Sequence, residues 1–90
     1  SRHPRPKDVF LLIEVAESSL EYDRDKKIPR YAQYAIPEVW LVDLNNTFVD
    51  VYLKPTLHGF ERVERFELGQ QITSSLFPEL LIKVDELFLR

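Results

Sequence analysis

A chain of 90 residues makes one domain with a small core, because at this length only about 60 to 65% of the surface exposed by the unfolded chain is buried on folding. With 44% hydrophobic and 30% charged residues and no cysteine, the composition is that of a globular domain without disulfides or thiolate metal sites, for which a cytoplasmic address is the default. No apolar run approaches the ~20 residues that span a bilayer, and a formal charge of −3 leaves nucleic-acid binding only to a local basic patch.

Residues 1–7 carry two prolines and four basic side chains, counting His3, without periodicity, and read as an extended leader. Methionine is absent even at position 1, and the opening SRHPRPKD is neither a signal nor a transit sequence. The 90 residues are therefore expected to be a piece of a longer chain. Val9 to Val15 is an apolar run broken only by Glu14, which predicts a strand buried on both faces. A polar turn follows, in which Ser18 and Glu21 have capping-box spacing and announce a helix. Leu20, Ile28, Tyr31 and Tyr34 can share its apolar face, while Asp23, Arg24, Lys26, Lys27 and Arg30 supply the polar surface. Pro29 predicts a kink or two short helices, since an interior proline removes a hydrogen bond and clashes with the preceding turn. Ala35 to Pro37 ends the helix, and Val39 to Asp43 is a second buried strand. The unit is βαβ, with its two strands parallel.

Leu44 to Asn46 reads as a tight turn with asparagines at positive φ. Thr47 to Leu53 and Phe60 to Phe66 alternate as antiparallel strands joined by a loop from Lys54 to Gly59. After a turn at Gly69, Ile72, Leu76 and Phe77 are apolar anchors in an irregular stretch. Leu80 to Val84 is a short last strand, and Asp85 caps a terminal helical turn holding Leu87 and Phe88. The predicted fold is α/β: one domain over 1–90, with a mixed sheet in which a βαβ crossover is followed by an antiparallel meander.

Glu14 carries the chemical question. An ionised carboxylate inside a buried strand costs several kcal/mol or more unless a cation or several donors meet it, so Glu14 is either a metal ligand or general base, or an acid paired with a neighbouring Lys or Arg. Asp23, Lys27 and Tyr31 are spaced four apart and stack on one helix face. The same Asp–Lys spacing also serves a solvated helix for a few tenths of a kcal/mol. In a continuous strand Asp8 lies roughly 20 Å from Glu14, too far to share one ion, which makes it a strand-start or loop acid. Glu17, just past the strand, is a supporting acid or an exposed one. His3 and His58 are single histidines without ligand spacing. Ser18 and Ser19 lack a histidine base and read as helix caps. The two glycines, Gly59 and Gly69, form no phosphate loop. Trp40 reads as core.

The run LLIEVAESSLEYDRDKKIPRYAQYAIPEVWLVD, with the later FPELLIKVDELF, resembles the bacterial, often cyanobacterial, Uma-type restriction-endonuclease family, once catalogued as a domain of unknown function. That family is similar in fold to the PD-(D/E)XK nucleases. The resemblance covers nearly the whole chain from Pro6. It implies a restriction-endonuclease-like core, represented here by its C-terminal part, and a phosphodiesterase using Mg²⁺ or Mn²⁺ on DNA. Glu14 matches the glutamate of the (D/E)XK strand. Ala16 stands where the lysine is expected, and Lys27 on the helix takes its place, flanked by Asp23 and Tyr31. Glu17 stands where relatives carry Asp. The first metal-binding aspartate belongs to a preceding strand, for which Asp8 is the in-chain substitute. Arg24, Lys26 and Arg30 are positioned to meet a DNA backbone. The same resemblance implies weak metal affinity and no cleavage by the 90 residues by themselves, and self-association or a homodimer through the apolar edge of the first strand.

Overall fold

A computed structural model describes residues 10–74 and 76–88. All six residues of Glu38–Asp43, here β2, are buried, and the sheet is built outward from this strand. β1 (Leu11–Ala16) pairs with β2 in parallel, with Glu14 beside Leu41. β3 (Phe48–Thr56) and β4 (Gly59–Glu67) extend the other side as an antiparallel meander, giving the order β1-β2-β3-β4. Between β1 and β2 runs a helix made of α1 (Leu20–Tyr22), a π-helical segment (Asp23–Lys27) and α2 (Ile28–Gln33). A second, two-stranded sheet pairs β5 (Gln71–Thr73) with β6 (Leu81–Lys83), followed by α3 (Val84–Leu87). The mixed α/β architecture expected from the sequence is the one found.

The pleat of β2 divides the core in two. Val39 and Leu41 face the helix and pack with Ala16, Ile28, Ile36 and Tyr52. Trp40 and Val42 face the other way and pack with Val49, Val51, Ile72 and Val84. Side chains alternate across a strand, so a strand buried at every position must be covered on both faces, and the helix and the small second sheet do this for β2. Trp40, 1% exposed, is core as expected.

Several local expectations are corrected. β1 is an edge strand: Ile13 and Val15 are 48% and 56% exposed, because the helix covers one of its faces and among the described residues only β2 pairs with it. Near Pro29 the helix is divided, as one of the two expected outcomes had it, into the short α1 and α2, but the interruption between them is a π segment that precedes the proline. Pro29 sits in the first turn of α2, and the preceding segment shifts to i→i+5 bonding, with the Ile28 N–H reaching the Asp23 carbonyl. Ala32, 3% exposed, lies four residues beyond the buried Ile28 on the same face of α2 and takes the buried place expected for Tyr34, which is 51% exposed. The helix ends in a Schellman motif, with the Ile36 N–H on the Tyr31 carbonyl and the Ala35 N–H on that of Ala32. Ala35 holds the left-handed position at φ 59.

The Ser18–Glu21 capping box does not form: Ser19 is the N-cap residue, and no side chain caps the helix. In the turn after β2 the positive φ falls on Thr47. The expected Lys54–Gly59 loop shrinks to Leu57 and His58, with Thr56 and Gly59 still paired. Leu76 and Phe77 are 41% and 39% exposed and do not anchor the core. Asp85 accepts the Gly69 N–H at 2.7 Å rather than capping α3, whose N-cap residue is Lys83.

Candidate functional site

Where β1 runs alongside the helix, four side chains converge. Glu14 is on the helix-facing side of β1, the side shared by Ala16 in the helix-face core. Asp23, Lys27 and Tyr31, each four residues on, present one stripe of the helix to it. Lys27 Nζ lies 3.5 Å from Glu14 Oε1 and 3.4 Å from Asp23 Oδ1. The Tyr31 hydroxyl donates to Glu14 Oε2, and the Ser19 hydroxyl donates to Asp23 Oδ2 at 2.9 Å. Glu14 is thus met by a cation on one oxygen and a phenol on the other, which is how a carboxylate is tolerated at a half-buried position.

Burial differs along the network. Asp23 is 2% exposed, whereas the side chains of Lys27 and Glu14 keep 38% and 20% of their exposure. The ammonium is therefore held from the protein side and open to solvent on the other. Its pKa is raised above the ordinary lysine value, first by the attraction of Glu14 and then by its bond to Asp23. Partial burial, followed by the bond to Glu14, pushes the Tyr31 phenol up to about 12. At neutral pH Lys27 is a fixed cation and Tyr31 a fixed donor, so neither serves there as a base.

The other expected residues disperse. Glu17 is exposed, and its carbonyl, not its carboxylate, is engaged, by the Asn45 side chain. Arg24, Lys26 and Arg30 are exposed on the outer helix surface, with Arg24 bonded to Asp25 at 3.1 Å. Asp8 and His3 lie outside the described residues. A cleft of 460 Å³ opens beside the cluster at the C-terminal ends of β1 and β2, lined among others by Glu17, Ser19, Tyr22, Asp43 and Asn45. Ser19 belongs to both; Glu14, Lys27 and Tyr31 do not line it.

Among the charged constellations that went unread in the sequence are those of Asp43 and Asp50. Asp43, 1% exposed, accepts the N–H groups of Asn45 and Asn46 at 2.9 and 3.0 Å and the Asn46 side-chain amide at 2.9 Å, which closes the turn after β2. Asp50 receives Arg65 from β4 through two bonds of 2.8 and 3.0 Å, while the guanidinium stacks 3.7 Å above the Phe48 ring. Opposite charges in facing registers of a hairpin were the available signal for that pair.

For a metal ion the donor set fits in part. Among the described residues no group of three or more His, Cys, Asp or Glu side chains is arranged to hold one. Glu14 offers a hard, partly accessible carboxylate of the kind that magnesium accepts alongside water and phosphate oxygens. Asp23 is turned inward to Ser19 and Lys27.

This strand-end carboxylate with a helix lysine can be set beside known proteins. The family model described as "Putative restriction endonuclease", Uma2, matches residues 1–85. The chain belongs to the Uma2 family. Among solved structures, it is similar to a crystal structure from Anabaena variabilis described as a "putative nuclease belonging to DUF820", with a TM-score of 0.61, 22% identity, and 84% of this chain and 42% of that one covered. At that identity the likeness is one of fold, and the chain spans less than half the length of that protein. No curated protein matches. Within the Uma2 fold, the Glu14 cluster lies where β1, the strand at the sheet's edge, meets the crossover helix.

Proposed function

We propose that this Uma2 domain belongs to a metal-dependent endonuclease that hydrolyses DNA phosphodiesters, with Glu14 as the carboxylate that would hold Mg²⁺ or Mn²⁺ and Lys27 as the cation facing the scissile phosphate. The observation that carries the reading is the Lys27 ammonium, fixed between Asp23 and Glu14 on its inner side and open to solvent on its outer side. A lysine so fixed stabilises charge developing on a phosphoryl oxygen without having to reorganise during the reaction. Tyr31 orients Glu14 through the second carboxylate oxygen, and Asp23 keeps Lys27 from swinging away. The chemistry that such an ion supplies when bound is a more acidic water and a neutralised phosphate. Arg24, Lys26 and Arg30, exposed along the outer helix, supply contacts to the DNA backbone, and Glu17 borders the path toward the neighbouring cleft. A purely structural Glu14–Lys27 pair would call for a dry setting, which the 38% exposure of Lys27 does not favour. A cytoplasmic location follows from this reading, and no described helix is long and apolar enough to cross a membrane.

The test is cleavage of supercoiled plasmid by the full-length protein with and without Mg²⁺. Glu14→Gln and Lys27→Met are each expected to slow cleavage by about 100-fold while leaving the thermal transition cooperative. Cleavage at the wild-type rate by both variants would overturn the assignment.

A further inference from the structure

Ser19 stands at the start of the helix, where serine ordinarily turns its hydroxyl onto a free N–H of the first turn. Here it makes no such bond. Its hydroxyl donates instead to Asp23 Oδ2 at 2.9 Å, while its carbonyl accepts the Asp23 N–H at 2.9 Å. Asp23 is gripped at two points by one residue, and the hydroxyl forgoes the usual capping bond to do so.

The grip decides which way the Asp23 carboxylate faces. Asp23 is 2% exposed, so each of its oxygens needs a partner from within the protein. With Oδ2 occupied by Ser19, Oδ1 is the oxygen left to Lys27, at 3.4 Å, and from that position the ammonium also reaches Glu14 Oε1 at 3.5 Å. Remove the hydroxyl, and Oδ2 becomes a buried acceptor without its donor. Lys27, already 3.4 Å from Oδ1, is a charged donor that can turn to Oδ2, and in doing so it moves toward Asp23 and away from Glu14. The π-helical segment begins at Asp23 and ends at Lys27, so the two-point hold on Asp23 is also a hold on the first residue of the irregular turn that carries the lysine.

We infer that Ser19 is a positioning residue, which acts through Asp23 to keep the Lys27 ammonium shared between Asp23 and Glu14. The inference rests on the role given to Lys27 above, but its test does not depend on cleavage. In the 90-residue chain, ¹⁵N relaxation of lysine side-chain ammonium groups reads how tightly each is held. Lys26, exposed on the same segment, serves as the internal reference. Lys27 is expected to be more restrained than Lys26 in the wild type, to fall to the level of Lys26 in Ser19→Ala, and to recover in Ser19→Thr, which keeps the hydroxyl. Ser19→Gly, which also removes the hydroxyl but keeps a favourable helix start, is expected to release Lys27 as well and serves if Ser19→Ala does not fold. A helix-start serine with no positioning role would leave the restraint of Lys27 unchanged in Ser19→Ala or Ser19→Gly, and that result overturns the inference. If Lys27 responds as expected while the full-length protein cleaves no DNA, the nuclease reading fails and the positioning role of Ser19 stands.

Discussion

At the residue scale, the charges that matter are those whose partners are fixed by local geometry. Asp43 is the clearest. Burial pushes its carboxyl pKa up, but the Asn46 side chain and the N–H groups of Asn46 and Asn45 outweigh this, and the net shift is downward. A carboxyl whose folded pKa is depressed adds stability above its unfolded value, near 3.9, and that contribution is lost as pH falls through the folded value. Asp43→Ala is therefore expected to destabilise the domain by about 2 to 3 kcal/mol at pH 7, since three donors lose their acceptor. The gap to wild type should narrow as pH drops below about 4. Urea titrations at pH 7 and pH 3 check both parts; an equal gap at the two pH values would count against the turn as the source. Glu14 was legible in the sequence because one charge interrupts an apolar run. The use of Ser19 was not, because a serine at a helix start looks the same whether its hydroxyl turns to the backbone or to a carboxylate four residues on.

At the element scale, the crossover helix shows how a proline is accommodated. Pro29 in an ordinary α-helix would leave the Asp25 carbonyl without its N–H partner. Here the proline sits in the first turn of α2, directly after an i→i+5 segment over Asp23–Lys27. Ala32, four residues beyond Ile28, shares its face, whereas Tyr34, six residues on and at the C-cap, points away; Tyr34 was misplaced because the larger apolar side chain was preferred to the alanine that the period puts inside. The end of the same helix carries a cost. Ala35 occupies the left-handed position, which an L-residue with a Cβ adopts at about 1 to 2 kcal/mol, whereas glycine adopts it freely at some loss of unfolded-state entropy. Ala35→Gly should raise the unfolding free energy by roughly 0.5 to 1 kcal/mol, seen as a higher urea midpoint with an unchanged slope. A lower midpoint would mean that the Schellman geometry is not adopted in solution.

At the scale of the whole molecule, the βαβ unit and the meander were legible in the sequence, but β5, read as an irregular stretch around Ile72, was not, nor was which strand lies at the centre. Val9 to Val15 and Val39 to Val42 are both strongly apolar, and only the topology shows that β2 is covered on both sides while β1, among the described residues, is an edge strand with Ile13 and Val15 half exposed. An apolar edge offers unpaired N–H and C=O groups to another strand. We therefore expect the 90-residue chain to self-associate, with Val15→Lys weakening the association. Sedimentation velocity at micromolar concentration reads this, and a wild-type monomer would refute it. The site's central claim, that Glu14 is the carboxylate offered to a divalent ion while Lys27 flanks it, is open to a direct measurement in the same chain. Mn²⁺ titrated in substoichiometric amounts, in the presence of a short DNA duplex, should broaden the amide signals of Ile13 to Val15, Lys27 and Tyr31 first, and Glu14→Gln should abolish that effect. Broadening centred instead on the cleft of Glu17, Asp43 and Asn45, and unchanged in Glu14→Gln, would contradict the account.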